Sequence, residues 1–146
     1  MATICMSDAE WVQTKDLELT SATAVDAFAI PANTVVMAVL VRVARAVVRA
    51  AGVTNIRVGD DDDDDGFVVD KDAEAAAGTL YGDDPSDYGV YLKKTYATTP
   101  AVDVHIPGGK LYTAEKTLKA KLDAAPDAGG TGLFDIWILR AKLDQD

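Results

Sequence analysis

Residues 34–43 read TVVMAVLVRV, and this stretch decides the fold that the sequence predicts. Five of its ten residues are valines, whose β-branched side chains lose rotamer freedom in a helix and pack well on a pleated sheet. Apolar residues occupy both faces as far as Leu40, which is typical of a strand buried on two sides, between two sheets or at a subunit contact. We therefore predict a long β-strand from Thr34 to Val43.

Two interpretations stay open for the continuation of this segment from Ala44 to Ala51. Arg42, Arg45 and Arg49 fall at positions i, i+3 and i+7, which place them on one face of a helix. The alanine-rich composition also favours a helix, whereas the valines before it favour a continued strand. These arginines either form a solvated face or pair with acidic loops across a subunit boundary.

A second ambiguous segment runs from Thr113 to Leu122. Its later leucines and alanine alternate with lysines, as they would in a strand with one buried face. However, Glu115 and Lys119 also form the i, i+4 pair of a helix. Strand and helix both remain open here.

Other apolar runs predict further strands on both sides of the long one. These runs cover residues 11–20, 25–30, 53–58, 67–69, 90–96, 102–106 and 133–143, and residues 71–77 suggest a helical turn. Leu133–Leu143 is apolar on both faces, so it belongs at the centre of a sheet or at an interface.

About eight to ten short strands with turn signals every 8–12 residues indicate a β-sandwich or a barrel. The sequence contains no internal repeat and no segment with the composition of an interdomain linker. We therefore predict one domain over residues 1–146, with residues 1–10 as an N-terminal arm. The predicted fold class is all-β, an antiparallel β-sandwich with at most one or two short helices.

The chain has 146 residues, a formal net charge of −10 and a pI of about 4.4. Such acidity disfavours phosphate backbones, which require a basic surface, and opposes contact with an anionic membrane. The longest apolar run is too short to cross a bilayer, and the first ten residues lack the basic and apolar segments of a signal peptide. We therefore expect neither nucleic acid nor a membrane as a partner, and synthesis in a cytoplasm.

No catalytic motif is found in the sequence. The only cysteine, Cys5, has no disulfide partner within the chain, and the only histidine, His105, is distant from it in sequence. Metalloprotease, dinucleotide-binding, phosphate-loop and serine-hydrolase patterns are lacking. A glycosidase needs two carboxylates at a defined separation, whereas the acidic residues here cluster in loops. We therefore predict a protein that is not an enzyme.

Six consecutive aspartates, Asp60–Asp65, are the most unusual feature of the sequence. The interpretation we favour is a solvated loop between strands, kept from pairing by its own charge repulsion. The other is a calcium loop, because the spacing of four carboxylates and of Gly66 matches such loops. The predicted metal ligands are Asp61, Asp63, Asp65 and Asp72. We expect no other cofactor.

Three phrases of the sequence carry a family resemblance. Ile30-Pro-Ala-Asn-Thr34 leads into the long strand, Ile56-Arg-Val-Gly-Asp60 is followed by Asp65-Gly-Phe67, and Gly130-Thr-Gly-Leu-Phe-Asp-Ile-Trp137 opens the last strand. Their order and spacing resemble small jelly-roll proteins of tailed bacteriophage particles, the head decoration or cement proteins and related head-fibre bases. The unbroken aspartate run and the Ala44–Ala51 segment depart from that pattern.

The resemblance implies a jelly-roll sandwich without catalysis or cofactor, and a homo-oligomer, with a trimer favoured, that binds the major capsid protein. The predicted function is a virion structural protein, a decoration or cement protein of the capsid surface, made in the host cytoplasm. The alternative is a receptor- or carbohydrate-binding module of a phage tail, neck or fibre. That module would use exposed aromatic residues such as Tyr81, Tyr88, Tyr91 or Trp11, which sheet packing would otherwise occupy.

Overall fold

The computed structural model describes residues 4–6, 8–93 and 108–145 of the chain. In that part there are ten β-strands and one short 3-10 helix, Pro85–Asp87, so no helix there is long and apolar enough to cross a membrane. The predicted all-β fold is confirmed. The strands are β1 (Ile4–Met6), β2 (Glu10–Leu19), β3 (Val25–Ile30), β4 (Thr34–Arg45), β5 (Asn55–Gly59), β6 (Val68–Asp72), β7 (Leu80–Tyr81), β8 (Lys110–Tyr112), β9 (Lys116–Leu122) and β10 (Gly132–Gln145).

The strands pair in a nested order, as in a long ribbon folded back on itself. β2 pairs with β10, β3 with β9, β4 with β8 and β5 with β6, all antiparallel. The ribbon is divided between a six-stranded sheet, in which β10 and β4 are central, and a four-stranded sheet in the order β3-β9-β5-β6. β1, from the predicted N-terminal arm, pairs with the end of β10.

β4 and β10 occupy the centre of the larger sheet, as their two-faced apolar sequences predict. Their inward side chains alternate along each strand, as the pleat requires, and are fully buried. These residues are Val39, Val41 and Val43 on β4 and Phe134, Ile136 and Ile138 on β10. They share one hydrophobic core with Ile56, Val58, Leu118 and Leu122 of the smaller sheet. The two sheets therefore pack face to face as an antiparallel β-sandwich.

β4 ends at Arg45, and residues 46–54 form neither a strand nor a helix. The Val47 and Val48 amides donate hydrogen bonds to the carbonyls of Ala73 and Gly130, respectively, each at 2.9 Å. Donors used in this way cannot make the i to i−4 bonds of a helix. The helical interpretation of Ala44–Ala51 is therefore wrong, and the strand interpretation holds only for its first two residues.

The structure decides three other local predictions. Thr113–Leu122 contains a strand, β9, and no helix. The helical turn predicted over residues 71–77 is wrong, because β6 continues to Asp72 and the Ala73 amide donates to the Thr54 carbonyl at 2.9 Å. Residues 90–93 form a turn rather than the start of a predicted strand. The rest of that segment, and the strand predicted over residues 102–106, lie outside the described residues.

A β-bulge interrupts β2 opposite the buried residue Asp135 of β10. Asp16 lies at this bulge with a positive φ of 52°, and its amide donates to Asp135 Oδ1 at 2.9 Å. The other oxygen, Oδ2, accepts hydrogen bonds from the Arg42 guanidinium of β4. Burial opposes the charge of this carboxyl, but the amide and the guanidinium outweigh it, so the pKa of Asp135 lies below its ordinary value. A buried charge in the sheet is thus fully compensated.

Substitution of Ile136 tests whether the sandwich core is where the structure places it. Ile136 is fully buried between Thr14 of β2 and Val41 of β4, so Ile136→Ala should lower the free energy of unfolding by about 2–5 kcal/mol. The measurement is urea denaturation followed by circular dichroism. Val53 is 63% exposed, and Val53→Ala is the control that should change stability by less than about 0.5 kcal/mol. Equal effects of the two substitutions would contradict this core.

Candidate functional site

The aspartate run closes the β5–β6 hairpin and begins with a residue that points inward. The Asp60 amide donates to the Asp63 carbonyl at 2.9 Å, and Asp60 Oδ1 accepts from the amides of Asp62 and Asp63 at 3.0 and 3.1 Å. Gly59 precedes this turn, and a Cβ there would lie 2.0 Å from the Asp63 carbonyl oxygen. The loop therefore folds onto its own backbone around one carboxylate.

The Asp60 side chain is 1% exposed and lies in a group that we call the Asp60 cluster: Asp60, Tyr91, Lys110 and Tyr112. Its Oδ2 accepts from Lys110 Nζ at 2.7 Å and from the Tyr112 hydroxyl at 2.6 Å, and its Oδ1 accepts from the Tyr91 hydroxyl at 3.0 Å. The Lys110 ammonium also lies 3.7 Å from the centroid of the Tyr91 ring, a cation–π contact. Every member of the cluster thus contacts a partner of complementary charge or polarity.

Electrostatics in the cluster favours the ionised carboxylate. Burial opposes the charge of Asp60, but the Lys110 ammonium and the two tyrosine hydroxyls outweigh it, so the pKa of Asp60 lies below its ordinary value. Burial and the hydrogen bonds to this carboxylate raise the pKa values of Tyr91 and Tyr112 far above normal. Both tyrosines therefore stay protonated and act as permanent hydrogen-bond donors.

The outward aspartates of the run lie against a row of lysines on β9. Lys119 Nζ is 2.7 Å from an Asp61 carboxylate oxygen and Lys121 Nζ is 3.1 Å from an oxygen of Asp64. Lys116 lies 3.8 Å from Asp62, and Arg57 of β5 contacts both Asp64 and Asp70. The run is a loop between β5 and β6, as predicted, and Asp61 and Asp62 are 66% exposed, but ion pairs with the smaller sheet offset much of its charge.

The predicted calcium ligands do not all lie together. Oxygens of Asp63, Asp64 and Asp65 lie within 4.8 Å of one another, and a hydrogen bond to Asp63 together with burial raises the pKa of Asp65. Asp61 is instead paired with Lys119. Asp72 ends β6, roughly 13 Å along the strand from the loop at about 3.3 Å per residue. Calcium binding at the loop stays a prediction.

The sequence did not indicate the partners of Asp60, since Lys110 and Tyr112 are about fifty positions away along the chain. The alternation of lysines with apolar residues along β9 was a signal only for the partners of the outward aspartates, because it indicated a basic strand face. For the Asp60 cluster the available signal was Gly66, which the sequence placed in the pattern of a calcium loop. A Cβ at Gly66 would lie 2.2 Å from the Tyr91 ring, so glycine there makes room for the cluster.

Several of the other candidate residues have partners within the chain. Arg42 pairs with Asp135, and Arg45 pairs with Glu18 and Thr131, all within the chain. The structure therefore accounts for these two arginines without a subunit boundary. Tyr81, Tyr88 and Tyr91 pack against the core, which confirms sheet packing for these rings. Trp11 is 52% exposed. His105 lies outside the described residues, and Cys5 lies in β1.

Comparison with known proteins gives a likeness in fold. No family model and no curated protein matches the chain. A chain in the acidic stable capsid structure of Helicobacter pylori bacteriophage KHP30 matches with a TM-score of 0.55 and 16% identity, over 100% of this chain and 98% of that chain. A chain in the capsid asymmetric unit of cyanophage Pam1 matches with a TM-score of 0.53 and 10% identity, over 97% of this chain and 86% of that chain. At these identities the likeness shows a shared fold.

Replacement of the central carboxylate tests the Asp60 cluster. Asp60→Asn leaves the Lys110 ammonium without its counter-charge and should lower the free energy of unfolding by about 2–4 kcal/mol. This loss is slightly smaller than the loss expected when one partner of a fully buried ion pair is removed. Asp62 is the matched control in the same loop, because its side chain is 66% exposed and its lysine is 3.8 Å away. Asp62→Asn should change stability by less than about 1 kcal/mol. Equal losses in urea denaturation would contradict a special role for Asp60.

The same carboxylates determine how stability depends on pH. The pKa values of Asp60 and Asp64 lie below the ordinary value of 3.8 in the folded state. Their contribution is therefore complete above about pH 4 and is lost as the pH falls through the lower folded pKa values. Urea denaturation across this range should show the free energy of unfolding decreasing on acidification, less steeply in Asp60→Asn than in the wild type. Parallel curves would count against the cluster as the source of this dependence.

Proposed function

We propose that this chain is a non-enzymatic virion structural protein of a tailed bacteriophage, bound at the capsid surface as a decoration or cement protein. The observation that carries this proposal is the end-to-end likeness to chains of two bacteriophage capsid structures. The likeness covers nearly the whole of this chain and most of each matched chain, so it concerns a complete fold of similar size. The three sequence phrases that resemble head decoration proteins point to the same class.

The proposed subtype of the sandwich is a jelly roll. Its support is the nested pairing, in which β2 meets β10, β3 meets β9, β4 meets β8 and β5 meets β6. Successive members of this ribbon are divided between two sheets, and a folded antiparallel ribbon of eight strands is the plan of a jelly roll.

The absence of catalysis is supported by the buried carboxylates of the described residues, which already have basic partners. Asp60 binds Lys110 and Asp135 binds Arg42. Asp87 contacts Lys71 Nζ at 2.6 Å and accepts a hydrogen bond from the Gly82 amide at 2.8 Å. Carboxylates held in this way stabilise the fold, whereas a general acid or base must be able to exchange a proton with a substrate.

The proposed partners are further copies of the chain, as a trimer, and the major capsid protein. The net charge of −10 supports a surface position outside the shell, away from the packaged nucleic acid. The second candidate function is a carbohydrate- or receptor-binding module of a tail, neck or fibre. Trp11, which is 52% exposed, favours it, whereas the three tyrosines considered with it are packed against the core.

Quantitative peptide mass spectrometry on purified phage particles tests the proposed function. A decoration or cement protein should be present at high copy number, in a simple ratio to the major capsid protein. Peptides of that capsid protein and of a known tail protein in the same sample calibrate the count. A few copies per particle would favour the module of a tail, neck or fibre, and absence from the particle would refute a virion role.

A further inference from the structure

The larger sheet has an apolar face on the side opposite the core. Trp137 and Leu139 alternate with the buried isoleucines of β10, so their side chains point away from the smaller sheet. Leu139 is paired across the strands with Trp11 and Ala38, and Trp137 is paired with Gln13 and Leu40. We call this surface the outer sheet face; it consists of Trp11, Ala38, Leu40, Trp137 and Leu139, together with Arg42 and Leu80 at its border.

A hollow of about 360 Å³ lies on this face and has Gly78 at its border. Its other lining residues are Trp11, Leu40, Arg42, Leu80 and Trp137. A Cβ at Gly78 would have nothing within 4 Å, so the hollow is open to solvent on that side. Trp11 and Leu80 are 52% and 40% exposed, so the same surface carries both a projecting aromatic ring and an apolar recess. An exposed apolar surface of this kind, separate from the buried core, is typical of a site of protein contact.

The outer sheet face is electrically neutral although the chain carries a net charge of −10. Arg42, the charged residue of the hollow, is neutralised by Asp135 and lies 5.3 Å from the centroid of the Trp137 ring. The adjoining bulge carries one basic and one acidic residue, Lys15 and Asp16. Two copies of an acidic protein repel each other through most surfaces, but they can meet here without opposing like charges.

The outer sheet face is large enough to form the centre of a protein contact. Three strands, β2, β10 and β4, span about 14 Å at roughly 4.8 Å each, and residues 133–141 of β10 span roughly 26 Å, while β7 adds only two residues at one border. The flat area of roughly 400 Å² is about half of the approximately 800 Å² that each partner buries in a standard interface. A small ligand in the hollow would not cover Ala38 or Leu139, which do not line it.

We propose that the outer sheet face is the surface through which copies of this chain bind one another. The inference rests on the homo-oligomer in the proposed function and assigns its contact surface. Trp11 lies on β2 at one lateral edge of the sheet and Leu80 on β7 at the other. A contact that buries this face therefore covers Trp11 and Leu80 together, since both line its hollow.

Light scattering coupled to size-exclusion chromatography tests this contact with charge-inserting variants. Trp11→Glu and Leu80→Glu each place a carboxylate in the contact at an already exposed position, so the fold should persist, as an unchanged circular dichroism spectrum and a cooperative urea transition of each variant would show. The wild type should be an oligomer at micromolar concentration. Each variant should weaken association by roughly 30-fold or more, the effect of losing an interface hot spot. Val53→Glu is the matched control, an exposed apolar residue in the β4–β5 connection, and should leave the oligomer intact.

Each contrary outcome has a distinct meaning. If both variants keep the wild-type mass, the oligomer forms through another surface and the inference is wrong, while the proposed function stands. If the wild type is monomeric, the inference and the homo-oligomer are both wrong, and particle copy number still judges the virion role separately. If a monomeric wild type binds purified particles and Trp11→Glu does not, the face contacts the shell instead, which also overturns the inference.

Discussion

The pairing of β4 with β10 is the constraint on which the other features depend. Both strands are apolar on both faces, so each carries a row of apolar side chains on either side of the sheet. Placing them side by side at the centre of the larger sheet buries their inward residues against the smaller sheet. It also leaves β2 and β7 as the lateral strands and brings the two ends of the chain together through β1. The outward residues of the same two strands then form an apolar surface that the sandwich itself does not cover.

A buried ionic group fixes the acidic loop at a different place in the fold. Asp60, Tyr91 and Lys110 come from three distant segments, and one carboxylate joins them. A buried charge is tolerated only when its hydrogen bonds are complete, and Asp60 accepts from a lysine, two tyrosine hydroxyls and two amides. Three of the loop's other aspartates, Asp61, Asp62 and Asp64, then lie against the lysines of β9. A run of like charges that would repel itself in isolation is held by opposite charges from a neighbouring strand.

The surface is thus divided in character. The smaller sheet carries an ion-paired acidic edge, while the outer face of the larger sheet is apolar and neutral, with its one guanidinium compensated by Asp135. Acidic regions of two copies repel each other, whereas two neutral faces meet without charge repulsion. This division is what the proposed homo-oligomer requires.

The sequence by itself determined the longer strands and the class of fold, because alternation and β-branching act over a few neighbouring residues. β3 has the predicted bounds, Val25–Ile30, and β4 begins at the predicted residue, Thr34. Only the tertiary structure decided the path of the chain beyond β4, where Val47 and Val48 bond to carbonyls far along the chain. It also decided that Asp60, the first of six consecutive aspartates, is the buried one. These features depend on residues that only the folded ribbon brings together. Because these residues are far apart along the chain, no local sequence pattern indicates their contacts.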